Sequence, residues 1–308
     1  MPAGPSGTKA WLKGAGIRPK KSWGQNFLVN PRVAARLAGG WELGAARGVL
    51  EVGAGAGSLT LPMLHAGAAV LAVERDPALC ALLERRIACE APGERAQVLA
   101  ADILALEPAR AIADFRERLA RAGAPAPGEW ALAGNLPYRF TTPILVWTAR
   151  NRALFRWVAF MVQREYGQRL LARAGTGEFG SLTLWMGLFF RMRRQARVGP
   201  GNFWPVPKVD SVVVRLEPHL QPPVVIPAED VFARVLRAAF GQRRKMIAGA
   251  LAGGLRLPRL EVEAALALAG VDGRRRAEEC DLAQFAALSR ALSPLLGRGA
   301  EPPGSEAP

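Results

Sequence analysis

Four things are scarce in this 308-residue sequence, and each scarcity excludes something. Its three cysteines, Cys80, Cys89 and Cys280, are odd in number and show no CxxC spacing, which speaks against a disulfide framework or a zinc site and for packing thiols. Its two histidines, His65 and His219, stand away from every motif below, so imidazole chemistry has no natural candidate. The longest uncharged apolar run, Ser181 to Phe190, falls far short of the roughly 20 residues that span a bilayer, and the first dozen residues hold no signal-peptide block. A cytoplasmic protein with no membrane partner is expected. Finally, no acidic residue occurs before Glu42.

That last absence belongs to a pattern. The chain carries 41 Lys and Arg against 26 Asp and Glu, a net +15, which invites a polyanionic partner. A general bias toward arginine would spread the charge evenly, and it is not even. Residues 1–36 hold seven basic groups and no acid, whereas residues 37–149 hold ten basic and twelve acidic groups. Residues 150–197 hold ten basic and two acidic groups, and residues 230–276 ten and four. The excess is local, as expected of a surface that binds phosphate.

Apolar runs of strand length alternate with helix-like segments between residues 48 and 163: GVLEVG, AVLAVER, AQVLAAD, WALAGN and WVAFMVQ. This is the signature of βαβ units. A strand near Gln195 to Val198 and the alternating DSVVVRLE follow with no room for a crossover helix, which predicts antiparallel pairing and a mixed seven-stranded sheet. Four prolines in EPHLQPPVVIPAED then break the pattern near residue 220. The sequence thus divides into a basic arm (1–40), an α/β domain (41–220), a helical domain (225–298) and a disordered tail (299–308). In the helical part Val231, Phe232, Val235, Leu236, Ala239 and Phe240 recur at helical spacing, and Arg243, Arg244 and Lys245 form a candidate RNA-binding cluster. Asp281 and Gln284 predict a capping box for the last helix.

Three strand ends carry candidate ligand contacts. Gly53, Gly55 and Gly57 follow the first run directly, where glycine permits a tight turn and close approach of a ligand. The spacing departs from G-x-G-x-x-G and is closer to the glycine loop of S-adenosylmethionine (AdoMet) methyltransferases. Glu74 ends the second run, nineteen residues after Gly55, where an acid can accept from ribose hydroxyls. Asp102 ends the third, where it can meet the amine of an adenine.

GNLPY, at the end of the fourth run, shares that edge. An exocyclic adenine amine is a poor nucleophile, because its lone pair is delocalised into the ring. Acceptors for both of its protons, the Asn135 side-chain oxygen and the Leu136 carbonyl held by Pro137, would let the nitrogen pyramidalise. Tyr138 offers a face for the base. A base in folded RNA must leave its stack to arrive there, and Phe203, on the loop before the last strand, is expected to cover its other face.

Together with KKSWGQNFLVN, FWPVPKVDSVVVRL, AAFGQRRKMI and RRRAEECDLAQF, these motifs resemble the KsgA (RsmA) family of ribosomal RNA adenine dimethyltransferases over nearly the whole chain. The resemblance implies a Rossmann-like class I AdoMet-dependent methyltransferase sheet with a small C-terminal all-helical domain. It implies dimethylation of two adjacent adenosines in the 3′-terminal hairpin loop of small-subunit rRNA, with a late role in assembly of the 30S subunit, by a monomer. By motif match Asn26 and Leu28 should close over AdoMet, joining Gly53, Glu74, Asp102 and Asn135, with Gln25 a further candidate from the same segment. The chain departs from the family pattern at Arg139 and Phe140, where Asn and Ile are usual. Erm-type methylation of large-subunit rRNA, DNA adenine methylation and a noncatalytic assembly role are the competing readings.

Overall fold

The computed structural model describes residues 7–20, 23–44, 47–242 and 244–297. The expected tail at 299–308 and Arg243 of the basic cluster lie outside the described residues. In chain order the strands are β1 (Phe27–Leu28), β2 (Arg47–Val52), β3 (Ala69–Glu74), β4 (Ala96–Ala100), β5 (Glu129–Asn135), β6 (Trp157–Gln163), β7 (Phe190–Val198), β8 (Phe203–Trp204) and β9 (Ser211–Pro218). The helices are α1 (Thr8–Gly14), α2 (Pro31–Gly39), α3 (Thr60–His65), α4 (Pro77–Glu90), α5 (Pro108–Arg121), α6 (Thr141–Arg150), α7 (Arg164–Leu170) and α8 (Ser181–Phe189), followed by α9 (Glu229–Phe240), α10 (Ile247–Leu255), α11 (Arg259–Leu268) and α12 (Leu282–Leu296).

Seven strands form one sheet in the order β4-β3-β2-β5-β6-β9-β7. Strands β4 through β6 are parallel, and β9 runs antiparallel to β6, so the expected mixed sheet is present. Every residue of β3 is buried, and all of β2 except Arg47. Strands covered on both faces read as continuous apolar runs, which is why these segments show no period of two. The chain moves outward from β2 through β3 and β4, then returns to β5 on the other side of β2. The order therefore reverses between β2 and β5, and ligands of open α/β sheets settle at such a reversal, beyond the carboxyl ends of the strands.

Two features were not legible in advance. Strands β1 and β8 pair antiparallel as a separate two-residue ribbon, Phe27 opposite Trp204 and Leu28 opposite Phe203. The start of the basic arm is docked: Trp11 and Leu12 of α1 are buried in a cluster with Phe27, Ala56, Leu79 and Leu82, while Lys9 and Lys13 face solvent.

The chain separates into two compact units. One comprises the described residues up to Gly167 together with Arg193–Pro218; the other comprises Gln168–Met192 and the described residues from His219 onward. One boundary between the units falls after Pro218. Residues 168–192, expected in the α/β domain, belong instead to the helical unit: Trp185 of α8 stacks with Phe232 of α9 at 6.5 Å and meets Phe189 edge-on at 5.0 Å. The apolar length of α8 gave no hint of which unit it would cover. At the start of α12 the Asp281 carboxylate accepts from the Gln284 amide (2.9 Å), and the Gln284 side chain accepts from the Asp281 amide (3.0 Å), closing the capping box.

Glu51 is the unusual residue of β2, an acid 2% exposed in a central strand. Its Oε2 accepts from the Thr60 hydroxyl at 2.5 Å. Burial pushes its carboxyl from 4.5 up to about 8, against the pull of the Thr60 hydrogen bond. The folded protein thus keeps a proton there that the unfolded chain releases near pH 4.5, so the stability it contributes is full below that value and is lost as pH rises toward 8. Glu51→Gln keeps the shape and cannot ionise. In urea titrations without ligand, the variant's stability relative to the parent should grow between pH 5 and pH 8.5; a difference that stays flat or shrinks contradicts the buried proton.

Candidate active site

The loops after β2, β3, β4 and β5 leave the same edge of the sheet and surround a cleft of about 990 Å³, including its open mouth. Residues 23–28 form the remaining wall. The glycine loop is backbone folded close to the ligand space. Gly53 (φ 66°) and Gly55 (φ 57°) occupy the left-handed region that L side chains avoid. A Cβ on Gly53 would project into open space, and one on Gly55 would press the Phe27 ring at 3.2 Å.

Glu74 lines the cleft and also fastens this loop. Its Oε2 accepts from the Gly55 amide and its Oε1 from the Asp76 amide, both at 2.9 Å. Burial pushes its carboxyl up, and the backbone donors offset part of that rise. Asp102, more open, caps the following turn by accepting from the Leu104 amide (3.0 Å) and lies 3.7 Å from the Arg75 guanidinium. Arg75 in turn sits over the Trp23 ring (4.5 Å) and the Phe140 ring (5.5 Å).

The fourth strand end carries the amide. Asn135 Nδ2 donates to the Asn26 carbonyl at 2.8 Å. A carbonyl can only accept, so this contact fixes which end of the amide is nitrogen. Among the described residues no donor takes Oδ1. The Leu136 amide donates to the Met161 carbonyl (3.0 Å), which holds the turn on β6, and Pro137 (φ −65°) stiffens it. Gly24 makes the approach of the arm possible: with φ at 64°, its missing Cβ would stand 3.3 Å from the Tyr138 amide nitrogen. Gln25 Oε1 accepts from the Lys20 amide (2.9 Å), and the Leu28 carbonyl accepts from Ser58 Oγ (2.6 Å). Gln25, Asn26 and Leu28 all line the cleft.

Tyr138 is half-buried on the cleft wall with its hydroxyl enclosed beside Ser211, without aligned hydrogen-bond geometry. Burial pushes its phenol up, and Ser211 offsets part of the rise. Phe203 requires a correction. It is 2% exposed, belongs to the buried cluster with Leu28, Val198 and Val213, and is absent from the cleft wall. Pairing of β8 with β1 turns it into the core, so no face of its ring is open to a base. Besides Tyr138, the half-buried rings on the cleft wall are Trp23 and Phe140. Arg244 and Lys245 are exposed in the turn between α9 and α10, within the other unit.

Glu51, Ser58, Trp23 and Arg75 line the cleft without having been singled out from sequence. Glu51 alone had a visible signal, an acid inside a fully apolar run two residues before the first glycine. Phe140 stands out in the sequence only as a departure from the family pattern.

The model of the family described as ribosomal RNA adenine dimethylase matches residues 16–293. The ribosomal RNA small subunit methyltransferase A of Geobacter metallireducens is 39% identical over 289 residues, 93% of this chain and all of that one. Its namesake in Magnetococcus marinus is 39% identical over 286 residues, covering 93% and 96%. Among solved structures, the 23S rRNA methyltransferase ErmE aligns with a TM-score of 0.60 at 27% identity, covering 87% of this chain and 99% of that one. A dimethyladenosine transferase from Plasmodium falciparum shares the fold, with a TM-score of 0.64 at 21% identity over 86% and 96%. With a strand-end cleft of this shape and a family match that spans both units, the chain belongs to the ribosomal RNA adenine dimethylase family.

Proposed function

We propose that this protein uses AdoMet to dimethylate the exocyclic N6 amines of two adjacent adenosines in the 3′-terminal hairpin loop of small-subunit rRNA, working as a cytoplasmic monomer on the assembling 30S subunit. The observation that carries this reading is the Asn135 amide, oriented by the Asn26 carbonyl so that its oxygen is left for a donor. That is the group an amine substrate needs.

The cleft suits a cationic nucleoside. Gly53 leaves room where any side chain would intrude, and Glu51 and Glu74 bring two carboxyl groups to the wall. AdoMet, when bound, supplies an electrophilic methyl on a sulfonium. The protein's part is orientation. With AdoMet bound, Glu74 would have lone pairs left for the ribose hydroxyls, Asp102 would be available to the cofactor's adenine, and Gln25, Asn26 and Leu28 would close the near side. The target adenine stacks on Tyr138, a contact of roughly 1–3 kcal/mol for a base on an aromatic ring. Its amine donates one proton to Asn135 Oδ1 and one to the Leu136 carbonyl. Both bonds shorten as nitrogen charge develops, so they favour the transition state over the ground state.

A second reading, methylation of large-subunit rRNA, rests on the likeness to ErmE, which at 27% identity is weaker than the 39% shared with small-subunit enzymes. Labelled AdoMet supplied with small-subunit particles lacking the modification, with large-subunit particles and with duplex DNA separates the readings. Label should enter small-subunit rRNA alone; transfer to large-subunit rRNA at a comparable rate refutes the assignment. A bare hairpin bearing both adenosines should be methylated far more slowly than the particle, because the basic excess lies in three separated segments. Equal rates would remove the case for an extended footprint.

Arg244 and Lys245 test the helical unit's share of that footprint. Replacing both with Gln should weaken particle binding and reduce the slope of log K against log salt by roughly one for each phosphate no longer neutralised. AdoMet affinity should not move. An unchanged slope assigns the two side chains to solvent.

A further inference from the structure

Behind the glycine loop lies a charged residue that the reaction as described does not use. Arg86, on α4, is 5% exposed. Taking a guanidinium out of water is costly unless every donor finds an acceptor, and here the acceptors come from three parts of the chain. Nη1 donates to the Ala56 carbonyl in the glycine loop (2.7 Å) and to the Thr8 hydroxyl on α1 (3.0 Å). Nε and Nη2 donate to the two carboxylate oxygens of Glu90, at 2.8 and 3.4 Å.

The connections continue from Thr8 into the cleft wall. Its hydroxyl lies 3.4 Å from Ser58 Oγ, whose single proton goes to the Leu28 carbonyl at 2.6 Å. Ser58 Oγ thus spans the Thr8 hydroxyl and the Leu28 carbonyl, with the shorter bond to Leu28, while Thr8 accepts from Arg86. Ser58 and Leu28 line the cleft, and the adjoining Asn26 carbonyl is the group that orients Asn135. Apolar packing follows the same route: Trp11 and Leu12 of α1 share one buried cluster with Ala56 of the loop and Phe27 of β1.

We propose that Arg86 is a positioning residue for AdoMet binding, locking the glycine loop to helix α1 so that AdoMet binding and docking of the N-terminal helix are one cooperative event. Because Lys9 and Lys13 project from the outer face of α1, cofactor occupancy then also orders part of the basic arm. Coupling of this kind is reciprocal: if the docked helix favours AdoMet, AdoMet must favour the docked helix by the same factor.

The experiment pairs calorimetry with amide exchange on the full chain. AdoMet should slow exchange of residues 8–14 in the parent protein. Arg86→Met, which keeps length and removes every donor, should weaken AdoMet binding by at least about tenfold, the weight of one hydrogen bond to a charged group, and abolish that protection. KM for AdoMet should rise in step while kcat at saturating AdoMet stays within about twofold, a split that simple loss of folded protein would not give. Arg86→Lys, able to reach one acceptor, should fall between. If Arg86→Met does not fold, Thr8→Val carries the test, since it leaves the Ala56 and Glu90 contacts intact and breaks only the polar link to α1; the AdoMet-dependent slowing of exchange at residues 8–14 should then shrink. The proposal is overturned if AdoMet leaves α1 exchange unchanged in the parent, if folded Arg86→Met binds AdoMet normally, or if Thr8→Val keeps full AdoMet-dependent protection.

Discussion

The site depends on one hydrogen bond, from Asn135 Nδ2 to the backbone carbonyl of Asn26. A primary amide presents a donor end and an acceptor end that differ little in shape, and only the acceptor end can serve an amine. By occupying the donor end with a group that cannot itself donate, the fold removes the useless orientation. The carbonyl comes from the N-terminal segment, which Gly24 lets lie against the Tyr138 turn, while the amide comes from β5, next to the strand reversal. The arm thus builds part of the cleft wall and orients the Asn135 amide, besides carrying basic side chains.

Electrostatics divides the labour in the same way. The stretch that builds most of the cleft, residues 37–149, carries slightly more acid than base, and two of its acids, Glu51 and Glu74, are buried at the cleft wall. Both have carboxyl groups pushed up by burial, a state that a cationic ligand relieves. The positive excess lies in other segments, where it can meet phosphate without competing for the cofactor. Glu74 both lines the cleft and fastens the loop, so its truncation would disturb the Gly55 turn as well as remove a carboxylate from the wall.

Much of this was legible in the sequence because it is written in contiguous segments. The five apolar runs, the glycine loop and GNLPY each lie at one strand or strand end, and sheet topology alone gathers their ends on one edge. What escaped was set by pairing between distant segments. Phe203 reads as a loop aromatic until β8 pairs with a two-residue strand 176 positions earlier and draws it inward. Helix α8 reads as part of the sheet domain until Trp185 is seen against Phe232. The stacking of Arg75 on Trp23 and Phe140 joins three strand-end or arm positions with no shared motif. Arg86 looks like one more helix-surface arginine in a chain with many.

The proposed chemistry converges on Asn135. Asn135→Ala keeps the glycine loop and the acids of the cleft and removes the oriented oxygen, so AdoMet affinity by calorimetry should stay within a few-fold of the parent. Turnover on small-subunit particles should fall by about 10²–10³ in kcat, the usual scale for a preorganised group that stabilises transition-state charge. Near-normal kcat in a folded variant that binds AdoMet would contradict this mechanism, because the oriented amide would then have no part in the chemistry.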